Sequence, residues 1–342
     1  MPYCECGKNT EIFIHTASTF DPYQNLAYEN ALLEYVSRRT QQGYAVCGLF
    51  LWQSSNAVVF GRNQSITREC NMDVVEKYQI RLVRRFSGGG AVYQDMGNLN
   101  FSFISSECVH STQKNLDIIL RALKKLGILA EASGRNDLVA DGRKISGNAF
   151  FHSGQAVLHH GTLLVCEDLA MAQKCLSPDL YKLKANGVSS VRSRIINLAD
   201  LSEACSVPAT ADRIRAEFLD TWHTSRYQSP GICIEAYEQT WNMLRSREWI
   251  MGHACNDCRT VHAAWGTLRY QIKEKDGCIA EFIYETDALE LDFLDRLSDR
   301  LRGMPLSKKH FDAFVKNPDL EMTEQEKDMM HSVINKIRKE LV

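Results

Sequence analysis

The chain has no long hydrophobic run. Its longest strongly apolar stretch, Tyr44 to Trp52, falls far short of the roughly 20 residues that span a bilayer, so no membrane span is expected. It also lacks bulk charge. Forty Lys and Arg against 42 Asp and Glu leave a formal net charge of −2, which excludes a global field as the means of holding a nucleic acid or a membrane surface. Any anionic substrate must be held by local groups. The opening residues, Met1-Pro2-Tyr3-Cys4-Glu5-Cys6, lack the basic region and apolar run of a secretory signal, and a cytoplasmic location is expected. Internal repeats and low-complexity linkers are absent. The 12 cysteines are spread over 342 residues, unlike a small disulfide framework. Cys255 and Cys258 have C-x-x-C spacing and Cys4/Cys6 are another close pair, but no second pair stands at the distance a zinc ribbon needs. Reduced structural thiols are expected.

What is present suits a soluble globular protein: 44% hydrophobic and 24% charged residues, in a length that suggests one large domain with a smaller appendage. Residues 24–39 place Leu26, Ala27, Ala31, Leu33 and Val36 mostly on one helical face. AVCGLFLW and AVVFG read as buried strands split by a turn at Gln53–Asn56. Leu116, Ile119, Leu120, Leu123 and Leu126 form an amphipathic helix closed by Gly127. Short strands flank residues 130–165, and a helix over 210–222 starts at Thr210 as N-cap. After Trp249 the character changes. A hairpin turns at Asp276-Gly277, a helix over about 289–302 ends at Gly303, and a last helix opens with the capping box Thr323-x-x-Glu326. These elements make a large domain over 1–248 and a small α+β domain over 249–342.

Three stretches are candidates for chemistry. Arg84-Arg85-Phe86-Ser87-Gly88-Gly89-Gly90-Ala91-Val92-Tyr93 holds three consecutive glycines, each costing roughly 0.5–1 kcal/mol in an element interior relative to alanine. Backbone N–H groups approaching an anion would offset that cost, with the two arginines adding positive charge; a tight turn between strands is the plainer reading. The spacing matches neither the P-loop nor the dinucleotide fingerprint. In the second stretch, Gly134 to Gly147, Asp141-Gly142 reads as a hairpin turn that projects Lys144 from the start of a strand. Asn136 and Asp137 offer oxygens of the kind Mg²⁺ accepts beside a phosphate; a turn cap and a solvated lysine are the alternative. In the third, His159-His160-Gly161-Thr162-Leu163-Leu164-Val165, successive strand residues face opposite ways, so one metal would not take both histidines. Residues 184–198 are basic and contain Gly and Ser, as a solvated loop or a lid over a charged substrate would.

GRNQ (61–64), RRFSGGGAVYQDMGNLNFSF (84–103), GRNDLVADGRKISGNAF (134–150), HHGTLLV (159–165) and GVSSVRSRIINL (187–198) occur in the order found in lipoate–protein ligases, and the chain resembles that family from about residue 10 onward. The resemblance implies a mixed α/β catalytic domain akin to biotin ligases and class II aminoacyl-tRNA synthetases. It implies ATP and Mg²⁺ as cofactors, lipoate as substrate, and lipoyl-domain carriers as partners: E2 subunits of 2-oxoacid dehydrogenases and the glycine cleavage H protein. It assigns Arg85 and the backbone of Gly90, Ala91, Val92 and Tyr93 to the nucleotide phosphates. Lys144 would sit between the lipoate carboxylate and the α-phosphate, with Asn136, Asp137, Gly147, Ala149, His160 and Thr162 lining the adenylate pocket and Asp137 on the metal. Gln94 departs from the family, which often has histidine there. Rival readings are an ATP-independent acyltransferase, for which Cys166 is the nearest thiol and is expected to be buried, a biotin ligase, whose glycine-rich motif differs, and a non-catalytic carrier-binding protein.

Overall fold

Strand β1 (Thr10–Thr16) leads into helix α1 (Pro22–Gln41), which returns the chain so that β2 (Ala45–Trp52) pairs parallel to β1. Asp21 starts α1 by accepting the N–H groups of Tyr23 and Gln24, and Pro22 stands at the first helical position. The computed structural model describes residues 10–134, 136–177, 194–225, 227, 229–252, 255, 257–289, 291–318 and 320–341. The chain divides into two compact units: the described residues of Met1–Phe60, Ile66–Phe86 and Ala91–Ile250, and those of Gly61–Ser65, Ser87–Gly90 and Met251–Val342.

In the first unit β2 is buried along its whole length, because both faces of its sheet are covered. Cys47, Leu49 and Leu51 face a core shared with Leu123 and Phe218, while Val46, Phe50 and Trp52 face one shared with Leu26 and Leu33 of α1. Gly48 makes room for the Phe13 ring, which a Cβ would overlap at 1.8 Å. Beyond β2 lies β6 (Asn98–Ser106), then β10 (Ala156–Leu164), β9 (Arg143–Ser153), β8 (Asp137–Ala140) and β7 (Ala130–Ser133), completing the order β1-β2-β6-β10-β9-β8-β7. Strand β6 is apolar on one face (Leu99, Phe101, Phe103), while Asn98, Asn100 and Ser102 alternate onto the other. Strand β6 is thus buried on both sides yet polar on one.

The Gln53–Asn56 turn does not make a hairpin. Strand β3 (Ala57–Phe60) joins a separate three-stranded sheet, parallel to β4 (Arg81–Arg84) and antiparallel to β5 (Val92–Gln94). Helices α2 (Ile66–Glu69), α3 (Met72–Lys77) and α5 (Leu169–Cys175) accompany this sheet; Ile66, Val75 and Cys175 lie in one core with Val58 and Phe60. Helix α4 (Thr112–Lys125) ends before Gly127, whose φ is +82°, as its sequence predicts. Helix α6 (Val207–Thr221) starts one turn earlier than expected: Ser206 caps it, with Pro208 in its first turn, and Thr210 is a buried interior residue. Helices α7 (Ile234–Arg245) and α8 (Arg247–Met251) follow.

In the second unit, β11 (Arg259–Ala263), β12 (Gly266–Lys275) and β13 (Cys278–Thr286) form an antiparallel sheet. Asp276 (φ +54°) and Gly277 (φ +76°) make the expected two-residue turn. Helices α9 (Leu291–Leu301), α10 (Lys308–Lys316) and α11 (Glu324–Glu340) pack on it, and Thr323 and Glu326 form both bonds of the capping box. The sequence boundary at 248/249 differs from this division in two respects: the main division falls at 250/251, and loops 61–65 and 87–90 group with the second unit. The expectation of reduced thiols is corrected at one pair. Cys255 and Cys258 are disulfide-bonded, their Cα atoms 5.8 Å apart, well inside bridging range. Cys4 and Cys6 lie outside the described residues.

Candidate active site

Lys144 stands at the start of β9, delivered by the turn Asp141 (φ +49°)–Gly142 (φ +69°). The register of β8 and β9 slips between Leu138 and Val139, so Ile145 is an extra residue beside Lys144, and such a bulge re-aims neighbouring side chains. The Lys144 ammonium lies 2.7 Å from Asp137 Oδ1, and Arg194 donates to Asp137 Oδ2 at 2.7 Å. The carboxylate side chain is only 15% exposed, so the ion pairs are weakly screened. One aspartate thus holds two cations. The Lys144 carbonyl also accepts the Ile196 N–H at 3.1 Å, tying the 194–196 segment to the strand. Gly147 explains itself here. A Cβ on it would stand 3.0 Å from Lys144 Nζ and 3.3 Å from Cε, so the glycine leaves the lysine its path.

Next to Asp137, Asn136 is clamped to Asn148 by three hydrogen bonds. Asn136 Nδ2 donates to the Asn148 carbonyl (2.6 Å), and Asn148 Nδ2 (3.0 Å) and N–H (2.8 Å) both donate to the Asn136 carbonyl. Ala149 pairs across β9/β10 with His160, and Thr162 lies opposite Asn100 of β6. These assigned residues therefore share one stretch of sheet.

A second group joins the assigned Arg85 and His160 to residues that sequence reasoning missed, Glu29, Ser102 and Trp52. Glu29 of α1 is buried and hydrogen-bonds the His160 ring at 3.0 Å, while Ser102 donates to the same carboxylate oxygen. Trp52 Nε1 donates to Ser102 Oγ at 3.3 Å. Arg85 is also buried. Burial pushes its guanidinium down to about 10, opposed by the attraction of Glu29, and its Nη1 donates to the Val59 carbonyl at 3.2 Å. The signal was in the helix: Glu29 falls on the stripe Leu26, Leu33, Val36 at steps of three and four, where only a partnered carboxylate survives.

Ala91 is half-buried beside Val92 and Tyr93 of β5, which lie opposite Val59 and Val58. The Tyr93 side chain is turned into its own core, its hydroxyl donating to Asn56 Oδ1 at 3.2 Å. Gln94 is buried and exchanges amide hydrogen bonds with Asn100 at 2.8 and 3.3 Å, an internal pair. The triglycine, read as anion cradle or tight turn, has a further steric reason. In the second unit Gly89 has φ +87° and donates its N–H to the Ala288 carbonyl at 3.0 Å. A Cβ on Gly88 would stand 2.3 Å from that same oxygen, and one on Gly61 would stand 2.3 Å from the Gly89 oxygen. A Cβ on Gly90 would meet nothing within 4 Å.

Cys166 is exposed, which corrects the expectation of a core thiol, and its pKa is raised by partial desolvation and by Asp95. A nucleophilic cysteine needs the opposite shift. Of the basic segment 184–198, residues 184–193 lie outside the described residues, as does Arg135.

Two family models match the chain: the lipoyl protein ligase A/B catalytic domain over residues 21–219 and the bacterial lipoate protein ligase C-terminus over residues 254–334. The chain belongs to the lipoate–protein ligase family. Lipoate-protein ligase A of Psychrobacter cryohalolentis is 33% identical over 86% of this chain and 88% of its own length. That of Blochmanniella floridana is 33% identical over 84% and 87%. The fold agrees. The P. falciparum protein LipL1, solved with lipoate, superposes with a TM-score of 0.81 at 24% identity over 95% of this chain and 99% of that one. The bipartite lipoate protein ligase of Thermoplasma acidophilum, described with its E2 lipoyl domain, gives 0.59 at 25% identity over 72% and 99%.

Proposed function

We propose that this ligase activates lipoate with ATP as lipoyl-adenylate and transfers the lipoyl group to a lysine of a lipoyl-domain carrier in the cytoplasm. The observation that carries the reading is the Lys144 ammonium, held 2.7 Å from Asp137 and given its path by Gly147. In the first step a lipoate carboxylate oxygen attacks the α-phosphorus and pyrophosphate leaves. Two anions must meet, so a positioned point charge contributes most where both are closest. Lys144 would bridge the carboxylate and the α-phosphate, and later stabilise the oxyanion as the carrier ε-amine attacks the carbonyl and AMP departs. Phosphate binding falls to Arg85 and the backbone from Gly90 to Tyr93. Asn136, Gly147, Ala149, His160 and Thr162 line the adenylate pocket.

Mg²⁺ needs only one or two protein carboxylates when phosphates and water supply its other oxygens. Asp137, a hard oxygen donor beside Lys144, fits that requirement once the ammonium turns to phosphate; the ion would offset phosphate charge. The carriers of this reading are E2 subunits and the glycine cleavage H protein. Incubation with ATP, Mg²⁺, lipoate and a lipoyl domain, following pyrophosphate and carrier mass together, tests it. Both should appear and require lipoate; acyl transfer without pyrophosphate would favour the ATP-independent transferase instead.

A further inference from the structure

Behind Lys144 runs a chain of buried polar groups whose hydrogen-bond directions are all determined. The Asn136 carbonyl can only accept, so the atom of Asn148 that meets it at 3.0 Å is the amide nitrogen. Asn148 Oδ1 therefore points the other way, to His159 Nε2 at 3.0 Å, and that ring nitrogen must carry the hydrogen. His159 Nδ1 is left as an acceptor, and the Asn115 amide nitrogen of α4 meets it at 3.3 Å. Asn115, Asn148 and His159 are each at least nine-tenths buried. Gly161 is shaped to the same chain, since a Cβ there would crowd Asn148 Oδ1 at 2.9 Å.

We propose that His159, held in its Nε2–H tautomer by Asn115, is a positioning residue that sets the Asp137–Lys144 pair through Asn148 and Asn136. The inference rests on the adenylation reading of Lys144. Asn136 precedes Asp137 directly, and the Asn136–Asn148 clamp lies one step beyond the Asp137–Gly147 pairing, on the far side of Gly147 from the bulge. His159 anchors the clamp from the neighbouring strand, so the carboxylate that aims Lys144 is fixed from behind. The ring is suited to a permanent neutral role. Phe150 stacks on it at 4.5 Å, Phe101 and Phe103 flank it, and the titratable groups it feels are His110 and His160. Burial, with smaller contributions from those two histidines, pushes it down to about 3.

Two variants test this. Asn115→Leu removes the donor while keeping shape; pyrophosphate release should fall about 10-fold in kcat with KM for lipoate and ATP within about twofold. Asn115→Asp places an acceptor where a donor is needed. Its carboxylate forces the hydrogen onto Nδ1, and one added proton, on either group, restores the original direction. The ratio of variant to wild-type kcat should therefore rise as pH falls. Wild-type kcat in Asn115→Leu, or a ratio indifferent to pH, would overturn the proposal. The ¹⁵N shifts of the His159 imidazole do not depend on turnover, so they separate this proposal from the adenylation reading. Nε2–H is expected; Nδ1–H contradicts the inference even in an active enzyme. Should the wild type release no pyrophosphate, the adenylation reading fails first, and the inference about its lysine falls with it.

Discussion

The Lys144 corner and the triglycine loop are both short turns that carry charge or glycine in the sequence, yet different forces hold them. At the corner, one aspartate bridges Lys144 and Arg194, and a clamp of asparagines secures the strand behind it. The glycine beside Lys144, Gly147, makes room for a flexible side chain. At the loop, Gly88 makes room for backbone, the Ala288 carbonyl, and Gly89, at positive φ, donates its N–H to the same oxygen. A flexible ammonium can shift when crowded; a carbonyl in a folded segment is far less free. Glycine runs therefore have two separate meanings, and substitution tells them apart.

The largest effect should come from the corner. Lys144→Ala should lower adenylate formation by about 10²–10³-fold, read as pyrophosphate release, with thermal unfolding little changed. At the loop the order reverses. Gly88→Ala drives a Cβ against a carbonyl and should cost about 1–3 kcal/mol, seen as a lower Tm by calorimetry. Gly147→Ala should displace only the lysine end, lowering kcat about 10-fold at nearly unchanged Tm; a large Tm loss would place Gly147 with the loop instead.

A pH measurement sharpens the contrast. His159 stays neutral in the folded state down to about 3, against an ordinary value of 6.5. Between those values the unfolded chain binds the proton and the folded chain does not, so this group's contribution to stability falls as pH falls through that window. His159→Gln should flatten that acid limb in pH-dependent denaturation. Cys166→Ser should have the smallest effect, leaving lipoyl transfer within about twofold; loss of transfer would revive the thiol mechanism.

Local features were legible. The Asp141-Gly142 turn, the Asp276-Gly277 hairpin, the Gly127 stop and the Thr323 capping box each depend on a few adjacent residues, and all are present. The opposite facing of His159 and His160 followed from strand geometry alone: one is buried beside Asn148, the other meets Glu29. Long-range packing was not legible. Nothing near Gly88 announces Ala288, some 200 residues away, and the apolar runs 45–52 and 57–60 give no sign that they enter different sheets. Thr210 is a good cap by type, but Ser206 followed by Pro208 within the first helical turn is better placed. Glu29 was readable in principle, as a carboxylate on an apolar stripe, yet its partners come from β6 and β10.

The Lys144 corner is expected to make an adenylate before any carrier is present. Mixing enzyme, ATP, Mg²⁺ and lipoate without carrier, quenching, and detecting lipoyl-adenylate by mass spectrometry tests it most directly. The adenylate should accumulate with wild type, pass into the carrier when a lipoyl domain is added, and form about 10²–10³-fold more slowly with Lys144→Ala. Adenylate formed at a normal rate by Lys144→Ala would contradict that expectation.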